Sequence, residues 1–247
     1  MSASPVGVVT GAASGIGAST ARRLARQGFA VVCCDINDDA GQGVADGVGA
    51  TYVSLDVGDA AAWVELAASV ERDGRRVTRA VLNAGMLTSV APLPFLDVTA
   101  ERYERVRAVN LDGVVLGIQT LAPMIAPHGG AIVATASLAG LGPYGADPIY
   151  AATKHGIVGL VRSAAPQLAA AGVRLHAICP GGVDTGLLPP DRKAAISAEG
   201  RPMLDPDEVA DAIVALLESD EHGLVHTIVH GRGSEPYSFR GVPGPRP

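Results

Sequence analysis

Ser137, Tyr150 and Lys154 are side chains whose types and spacing could move a proton. In a helical Tyr150-Ala151-Ala152-Thr153-Lys154 segment the phenol and the ammonium stand at i and i+4 and project from one face. A free phenol has a pKa of about 10 and is a poor base near neutrality, so it needs a neighbour that favours the phenolate. Lys154 supplies that positive charge. Lowering the pKa by about 3 units requires about 4 kcal/mol of differential stabilisation. Ser137, thirteen residues earlier, is available to hold a substrate oxygen while Tyr150 moves its proton. Taken alone, a Tyr and a Lys four apart read more simply as a surface pair on a helix. The elements around them decide between the two.

Pro5 to Thr10 is a short β-rich run that feeds into Thr10-Gly11-Ala12-Ala13-Ser14-Gly15-Ile16-Gly17. Helical spacing follows through Ala21, Leu24 and Ala25 to Gly28, the expected C-cap. Glycines in a strand-to-helix turn let the backbone approach a pyrophosphate, and the helix N-terminus offers unpaired N–H groups. An ordinary Gly-rich loop is the simpler alternative. The next strand, Ala30 to Cys34, ends at Asp35, eighteen residues after Gly17, where a carboxylate accepts hydrogen bonds from a ribose diol and repels a 2′-phosphate. Ser14 occupies a position where a basic residue would favour NADP. Both residues point to NAD, whose nicotinamide charge would add to that of Lys154.

The rhythm of strand, helix and strand continues. Thr51 to Leu55 reads as a third strand ending at Asp56-Val57, with Asp56 suited to an adenine amino group, and Asp59 reads as the cap of the next helix. Val77 to Leu82 ends at Asn83-Ala84-Gly85, small residues beside which a flat ring can lie. A long helix starts at Asp97 or Thr99, carries Asn110 in its middle and breaks near Pro123 to Pro127. Asn110 either caps a kink and binds water or is a solvated surface residue, and spacing alone favours the second. Ala131 to Ala136 is a fifth strand with Ser137 at its end. The Tyr150 helix runs on to Gly172, with Pro166 expected to kink or shorten it near Arg162. Val173 to Cys179 leads into Pro180-Gly181-Gly182-Val183-Asp184-Thr185. An irregular, Pro-rich segment to Met203 then reads as a candidate lid. Asp205-Pro206-Asp207-Glu208 is a strong helix start, and Leu224 to Val229 is the last strand. The pattern predicts an α/β Rossmann fold in one domain, a doubly wound parallel sheet of seven strands with helices on both faces. Residues 1–231 form that domain and 232–247 a Gly/Pro/Arg-rich tail without core elements, either disordered or docked across a partner subunit.

Composition narrows the classes. At 247 residues the chain fits one large α/β domain, and its apolar runs are interrupted before reaching spanning length, so no transmembrane helix and no secretory signal are expected. Cys33 and Cys34 are adjacent and Cys179 is remote, which suits neither a disulfide framework nor a zinc site and points to a reducing cytoplasm. A net charge of −6 without a basic run argues against nucleic acid or anionic membrane as partner. His222, His226 and His230 recur every four residues, but on a turn and strand that spacing spans about 13 Å and no single metal is reached.

Nearly the whole chain, Val6 to about Gly231, resembles the short-chain dehydrogenase/reductase family. The likeness rests on the Thr10–Gly17 turn, Asp56-Val57, Asn83-Ala84-Gly85, Asn110, Ser137, Tyr150-x-x-x-Lys154 and Pro180-Gly181 through Thr185 in that order. It implies Tyr150 as acid or base, Lys154 as its pKa-lowering and ribose-binding partner, Ser137 as substrate orienter and Asn110 as organiser of a water relay. It further implies that NAD is held by Gly11, Ser14, Gly15, Ile16, Gly17, Asp35, Asp56, Val57, Asn83, Ala84, Gly85, Pro180, Gly181, Val183 and Thr185 together with Tyr150 and Lys154. A homotetramer or dimer built on helices 99 to 126 and 150 to 171 follows from the same resemblance. The chain departs from the family in its basic Pro-rich end and in Pro166, which bear on assembly rather than chemistry.

The positions that the family places near substrate are mostly apolar, Met86, Leu87, Leu138, Leu141, Pro143, Tyr144, Leu187 and Leu188, so the expected substrate is a hydrophobic secondary alcohol or ketone. A β-ketoacyl thioester reductase, with Arg102, Arg105 and Arg107 as a patch for an acidic carrier, is the alternative enzyme; Asp35 disfavours the NADPH such reductases use. A redox sensor that binds NAD without turnover is the alternative from another class, against which the complete set of Ser137, Tyr150, Lys154 and Asn110 stands.

Overall fold

The computed structural model describes residues 4–72, 74–200 and 202–241. Its elements in chain order are β1 (Val6–Thr10), α1 (Gly15–Arg26), β2 (Ala30–Asp35), α2 (Asp38–Val48), β3 (Thr51–Ser54), α3 (Ala60–Arg72) and β4 (Val77–Leu82). There follow α4 (Ala100–Arg107), α5 (Gly113–Ile125), β5 (Gly130–Thr135), α6 (Pro148–Ala170), β6 (Val173–Pro180), α7 (Pro190–Ala198), α8 (Pro206–Glu218), β7 (Val225–Val229) and β8 (Gly233–Pro236). All five residues of β1 are buried, because the strand is sandwiched between β2 and β4 with helices over both faces. A strand so placed needs an apolar run rather than alternation.

The strand order is β3-β2-β1-β4-β5-β6-β7-β8, with the first seven parallel. Strand order reverses between β1 and β4, and ligands in such sheets bind outside the carboxyl ends of the strands at that reversal. Two cores clothe the sheet. Trp63, Leu66, Leu121 and Ile157 of α3, α5 and α6 fill one side; Leu24, Ala45, Ile213 and Leu216 of α1, α2 and α8 fill the other. Capping follows the expected chemistry: Asp59 accepts from the Ala61 N–H at 2.9 Å, Thr99 from that of Arg102 at 3.3 Å, and Asp205 forms a complete capping box with Glu208.

Three expectations are corrected. The tail contributes an eighth strand: Gly231 and Gly233 adopt positive φ, the chain reverses, and β8 pairs antiparallel with β7 of its own chain. The Gly/Pro/Arg-rich composition conceals this because backbone pairing, not an apolar face, holds an exposed strand; residues 242–247 of the tail lie outside the described residues. The Pro-rich segment after Leu188 contains the helix α7, since Pro190 at its first position favours a helix start. Helix α6 passes through Pro166 for its full 23 residues. Its buried Val161 and Ala165, and Leu168 beyond, carry one apolar face across the missing N–H. Residues 100–125 form one continuous helical run that is long and apolar enough by length and composition to cross a membrane. Its buried Val106, Val114, Leu121 and Ile125 pack into the protein core.

Candidate active site

The glycine turn after β1 is built by close approach. Gly11 and Gly15 have positive φ, and a Cβ on Gly17 would lie 2.0 Å from the Gly11 carbonyl oxygen. A Cβ on Gly15 would meet Thr185 at 2.8 Å, so the loop after β6 closes directly over this turn. Gly15, Ile16 and Gly17 open α1, where backbone N–H groups lack intrahelical partners. Ser14 precedes them with an exposed side chain that makes no capping bond. That cradle fits a pyrophosphate.

At the end of β2, the two Asp35 oxygens accept from the Ala13 N–H at 2.9 Å and the Asn37 N–H at 3.0 Å. Each oxygen retains a lone pair for a further donor such as a ribose hydroxyl. Asp56 is more heavily engaged, accepting from the Gly58 N–H at 3.0 Å and from Arg105 at 2.9 Å. Val57 turns inward: its side chain joins the core and its carbonyl accepts from the Trp63 indole at 2.9 Å. Asn83 is tied to β1, its N–H donating to Thr10 Oγ1 at 2.9 Å and its Oδ1 accepting from Thr135 at 3.2 Å. The neighbouring Ala84 N–H also donates to Thr10 Oγ1, at 3.2 Å. A Cβ on Gly85 would sit 3.5 Å from both Asn110 Oδ1 and Lys154 Nζ. Beyond β6, the Gly181 N–H donates to the Ile228 carbonyl and Val183 is buried beside Leu204, which leaves Pro180 to Thr185 arched over the same end of the sheet. A cavity of about 460 Å³ opens where Gly15, Ser19, Thr185 and Lys193 meet.

Ser137, Tyr150, Lys154 and Asn110 come together beyond β4 and β5. Tyr150 and Lys154 are the third and seventh residues of α6, and both are nearly enclosed, at 8% and 3% exposure. Burial of the phenol pushes the Tyr150 pKa up to about 12; the Ser137 hydroxyl, hydrogen-bonded to it, pulls the other way, while Tyr144, Asp147 and Cys179 push it further up. Burial pulls Lys154 down to about 8. In the chain by itself, before any cofactor charge is added, burial of the phenol therefore outweighs the Ser137 hydrogen bond.

Asn110 is fully buried and not a solvated surface residue. It lies in a five-residue π-helical stretch, Ala108–Asp112, which joins α4 to α5 and adds a residue to the turn. Its Oδ1 accepts from the Met86 N–H at 2.8 Å, and its Nδ2 donates to the Met86 carbonyl at 2.9 Å and to Thr153 Oγ1 at 3.2 Å. Thr153 in turn donates to the Tyr150 carbonyl at 2.7 Å. Helix α6 and the loop after β4 are thus held together by one buried amide.

Sequence reasoning missed Thr88, Thr135 and Asp147, and quoted Thr10 only as the start of the glycine turn without its bonds to Asn83 and Ala84. Thr135 supplies the carbonyl that accepts from Lys154 Nζ at 2.7 Å. Asp147 caps α6, its Oδ1 accepting from the Tyr150 N–H at 3.0 Å. Its signal was present in Asp147-Pro148, the same cap and first-position proline that marked Asp205-Pro206. The walls next to the phenol are Leu87, Ala139, Ala151, Tyr144 and Leu188, with the Tyr144 ring edge-on to that of Tyr150 at 6.3 Å. Arg102, Arg105 and Arg107 are each engaged within the chain, by the Thr88 carbonyl, Asp56 and Asp112 respectively.

Similarity to known proteins agrees with this geometry. Residues 5–195 match the short chain dehydrogenase family. The cis-4-hydroxycyclohexanecarboxylate dehydrogenase of Sinomonas cyclohexanicum is 42% identical over 231 residues, which span 89% of this chain and 91% of that protein. The cyclohexanol dehydrogenase of an Acinetobacter species, strain SE19, is 38% identical over 226 residues, 87% of this chain and 88% of that one. Among solved structures, the 3-ketoacyl-(acyl-carrier-protein) reductase of Brucella melitensis, complexed with NADH, superposes with a TM-score of 0.83 at 28% identity, covering 92% of this chain and 98% of that one. With a cradle for a dinucleotide at the sheet reversal, and a buried Tyr and Lys with a half-buried Ser beside it, the chain belongs to the short chain dehydrogenase family of oxidoreductases.

Proposed function

We propose that the protein is an NAD-dependent dehydrogenase that interconverts a hydrophobic cyclic secondary alcohol and its ketone. The observation that carries this reading is the convergence of Ser137, Tyr150, Lys154 and Asn110 on one enclosed spot at the carboxyl ends of β4 and β5. Leu87, Ala139, Tyr144 and Leu188 wall that spot with apolar surface, which suits an apolar ring. Two relatives act on cyclohexane alcohols by name.

NAD, when bound, supplies the hydride acceptor for the carbinol carbon. The chain does the rest. Asp35 would receive the ribose hydroxyls through the lone pairs that Ala13 and Asn37 leave open, and its charge would repel a 2′-phosphate. Gly11 to Gly17 would hold the pyrophosphate, and Asn83 to Gly85 with Pro180 to Thr185 would hold the rest of the cofactor. Ser137 orients the substrate oxygen. Tyr150 takes the hydroxyl proton during oxidation and returns it during reduction, and Lys154 holds the positive charge that makes the phenolate accessible. Asn110 keeps the loop after β4 at a constant distance from α6.

The alternative thioester reductase reading is less favoured, because the arginines of its carrier patch, Arg102, Arg105 and Arg107, are each already bonded to groups of the same chain. We assign the catalytic unit to residues 1–231, in a cytoplasmic homo-oligomer.

The test is NADH formation from a panel of cyclic secondary alcohols beginning with cyclohexanol, with NADP in parallel. Turnover with NAD is expected, and Tyr150→Phe is expected to lower kcat by about 10²–10⁴-fold while NAD still binds. NAD binding without turnover of any alcohol or ketone in the panel would sink the reading.

A further inference from the structure

The loop that follows β4 is stitched to the first turn of α6 at a second point besides Asn110. Asp147 is only 6% exposed, and its carboxylate accepts three hydrogen bonds from groups of the chain. Oδ1 accepts from the Tyr150 N–H at 3.0 Å and from Thr88 Oγ1 at 2.7 Å, and Oδ2 accepts from the Thr88 N–H at 2.9 Å. Arg102 secures the far side of Thr88 by donating to its carbonyl at 3.2 Å. A neutral cap would satisfy a helix start at lower desolvation cost; a buried carboxylate with two acceptor oxygens can take both Thr88 donors and the helix N–H at once. We propose that Asp147 is a positioning residue for proton transfer, its buried carboxylate clamping Thr88 to the backbone of Tyr150 so that the loop after β4 and the phenol keep one mutual geometry and one local charge. This rests on Tyr150 being the proton-transfer group.

Two consequences separate this clamp from a simple helix cap. The carboxylate charge contributes to holding the Tyr150 phenol in its protonated form, together with burial and with Tyr144 and Cys179, while Ser137 opposes it. The ammonium of Lys154, 5.5 Å from the ring centroid, is the cation beside the same phenol. Neutralising Asp147 should therefore ease Tyr150 ionisation even as it loosens the loop. Removing only the Thr88 hydroxyl should loosen the loop without easing ionisation.

The experiment uses the full chain with saturating NAD and 13Cζ-labelled tyrosine, the Tyr150 resonance being assigned by its loss in Tyr150→Phe. Asp147→Asn is expected to lower the Tyr150 titration midpoint by about half a pH unit or more. It is also expected to lower kcat for cyclohexanol about tenfold, because an amide cannot accept from both Thr88 donors and Tyr150. Thr88→Val is expected to lower kcat comparably, with the KM for NAD unchanged and no downward shift of the midpoint. A folded Asp147→Asn whose Tyr150 midpoint is unmoved overturns the proposal, as does a Thr88→Val with undiminished kcat. Should Asp147→Asn not fold, Thr88→Val decides. If the unaltered chain oxidises no cyclohexanol, the titration still reads the clamp, and the failure belongs to the substrate assignment instead.

Discussion

Lys154 Nζ stands 5.5 Å from the centroid of the Tyr150 ring while donating a 2.7 Å hydrogen bond to the Thr135 carbonyl at the end of β5. The ammonium is therefore aimed by the sheet as much as by the helix that carries it. Its place is buried, and burial costs: the Lys154 pKa falls from 10.5 to about 8.

That cost gives a first prediction. Between pH 8 and 10.5 the unfolded chain holds a proton on this lysine that the folded chain has lost, so its contribution to stability rises with pH across that window. Below pH 8 the full penalty applies, about 3 kcal/mol at most, offset in part by the bond to Thr135. Lys154→Met is expected to be more stable than the unaltered chain at neutral pH by about 1–2 kcal/mol while losing turnover. Urea unfolding at neutral pH and above pH 10 checks this, since the advantage should shrink at the higher pH.

His176 lies fully buried on β6 with both ring nitrogens unpaired among the described residues. Burial pulls its pKa down to about 4, reinforced by Arg174, His226 and His222. The sign is that of a base kept neutral by folding: its full contribution is present above pH 6.5 and is lost as pH falls toward 4, by up to about 3 kcal/mol. His176→Leu should flatten the fall in stability across this window, as read by urea midpoints. A slope identical to that of the unaltered chain would assign the acid sensitivity elsewhere.

Asp35 joins the glycine turn to β2 through Ala13 while keeping lone pairs free. Asp35→Ser is expected to raise the KM for NAD about tenfold by removing charge-assisted bonds to the ribose, and to lower that for NADP by removing repulsion. Steady-state kinetics with both cofactors measures this; an unchanged ratio of kcat/KM values would dissociate Asp35 from cofactor choice.

The tail is held by more than backbone pairing. Arg162 of α6 places its guanidinium 3.7 Å from the centroid of the Phe239 ring, and Tyr237 packs edge-on to that ring at 4.8 Å. Phe239→Ala is expected to lower stability by about 1–2 kcal/mol, from lost burial and the cation–π contact. Its effect on kcat should be small, because Arg162 lies twelve residues, about 18 Å along the helix, from Tyr150. Thermal unfolding against turnover separates the two.

What the sequence determined by itself is whatever depends on neighbours a few residues away. The glycine turn, the Asp35 strand end, the caps at Thr99 and Asp205, the Tyr150-to-Lys154 spacing and the succession of seven parallel strands follow from backbone preference and apolar periodicity. These operate within one turn or one strand. The tertiary structure decided what depends on residues far apart in the chain. Asn110 is buried because Met86, 24 residues earlier, and Thr153, 43 later, supply its partners. Asp147 is a clamp because Thr88, 59 residues away, turns its backbone and hydroxyl toward it. Val57 can pack inward because Gly113, 56 residues later, has no side chain; a Cβ there would lie 2.8 Å from Val57 Cγ2. The protonation tendencies of Tyr150 and Lys154 are set the same way, since desolvation is a property of the assembled walls and no single segment carries it.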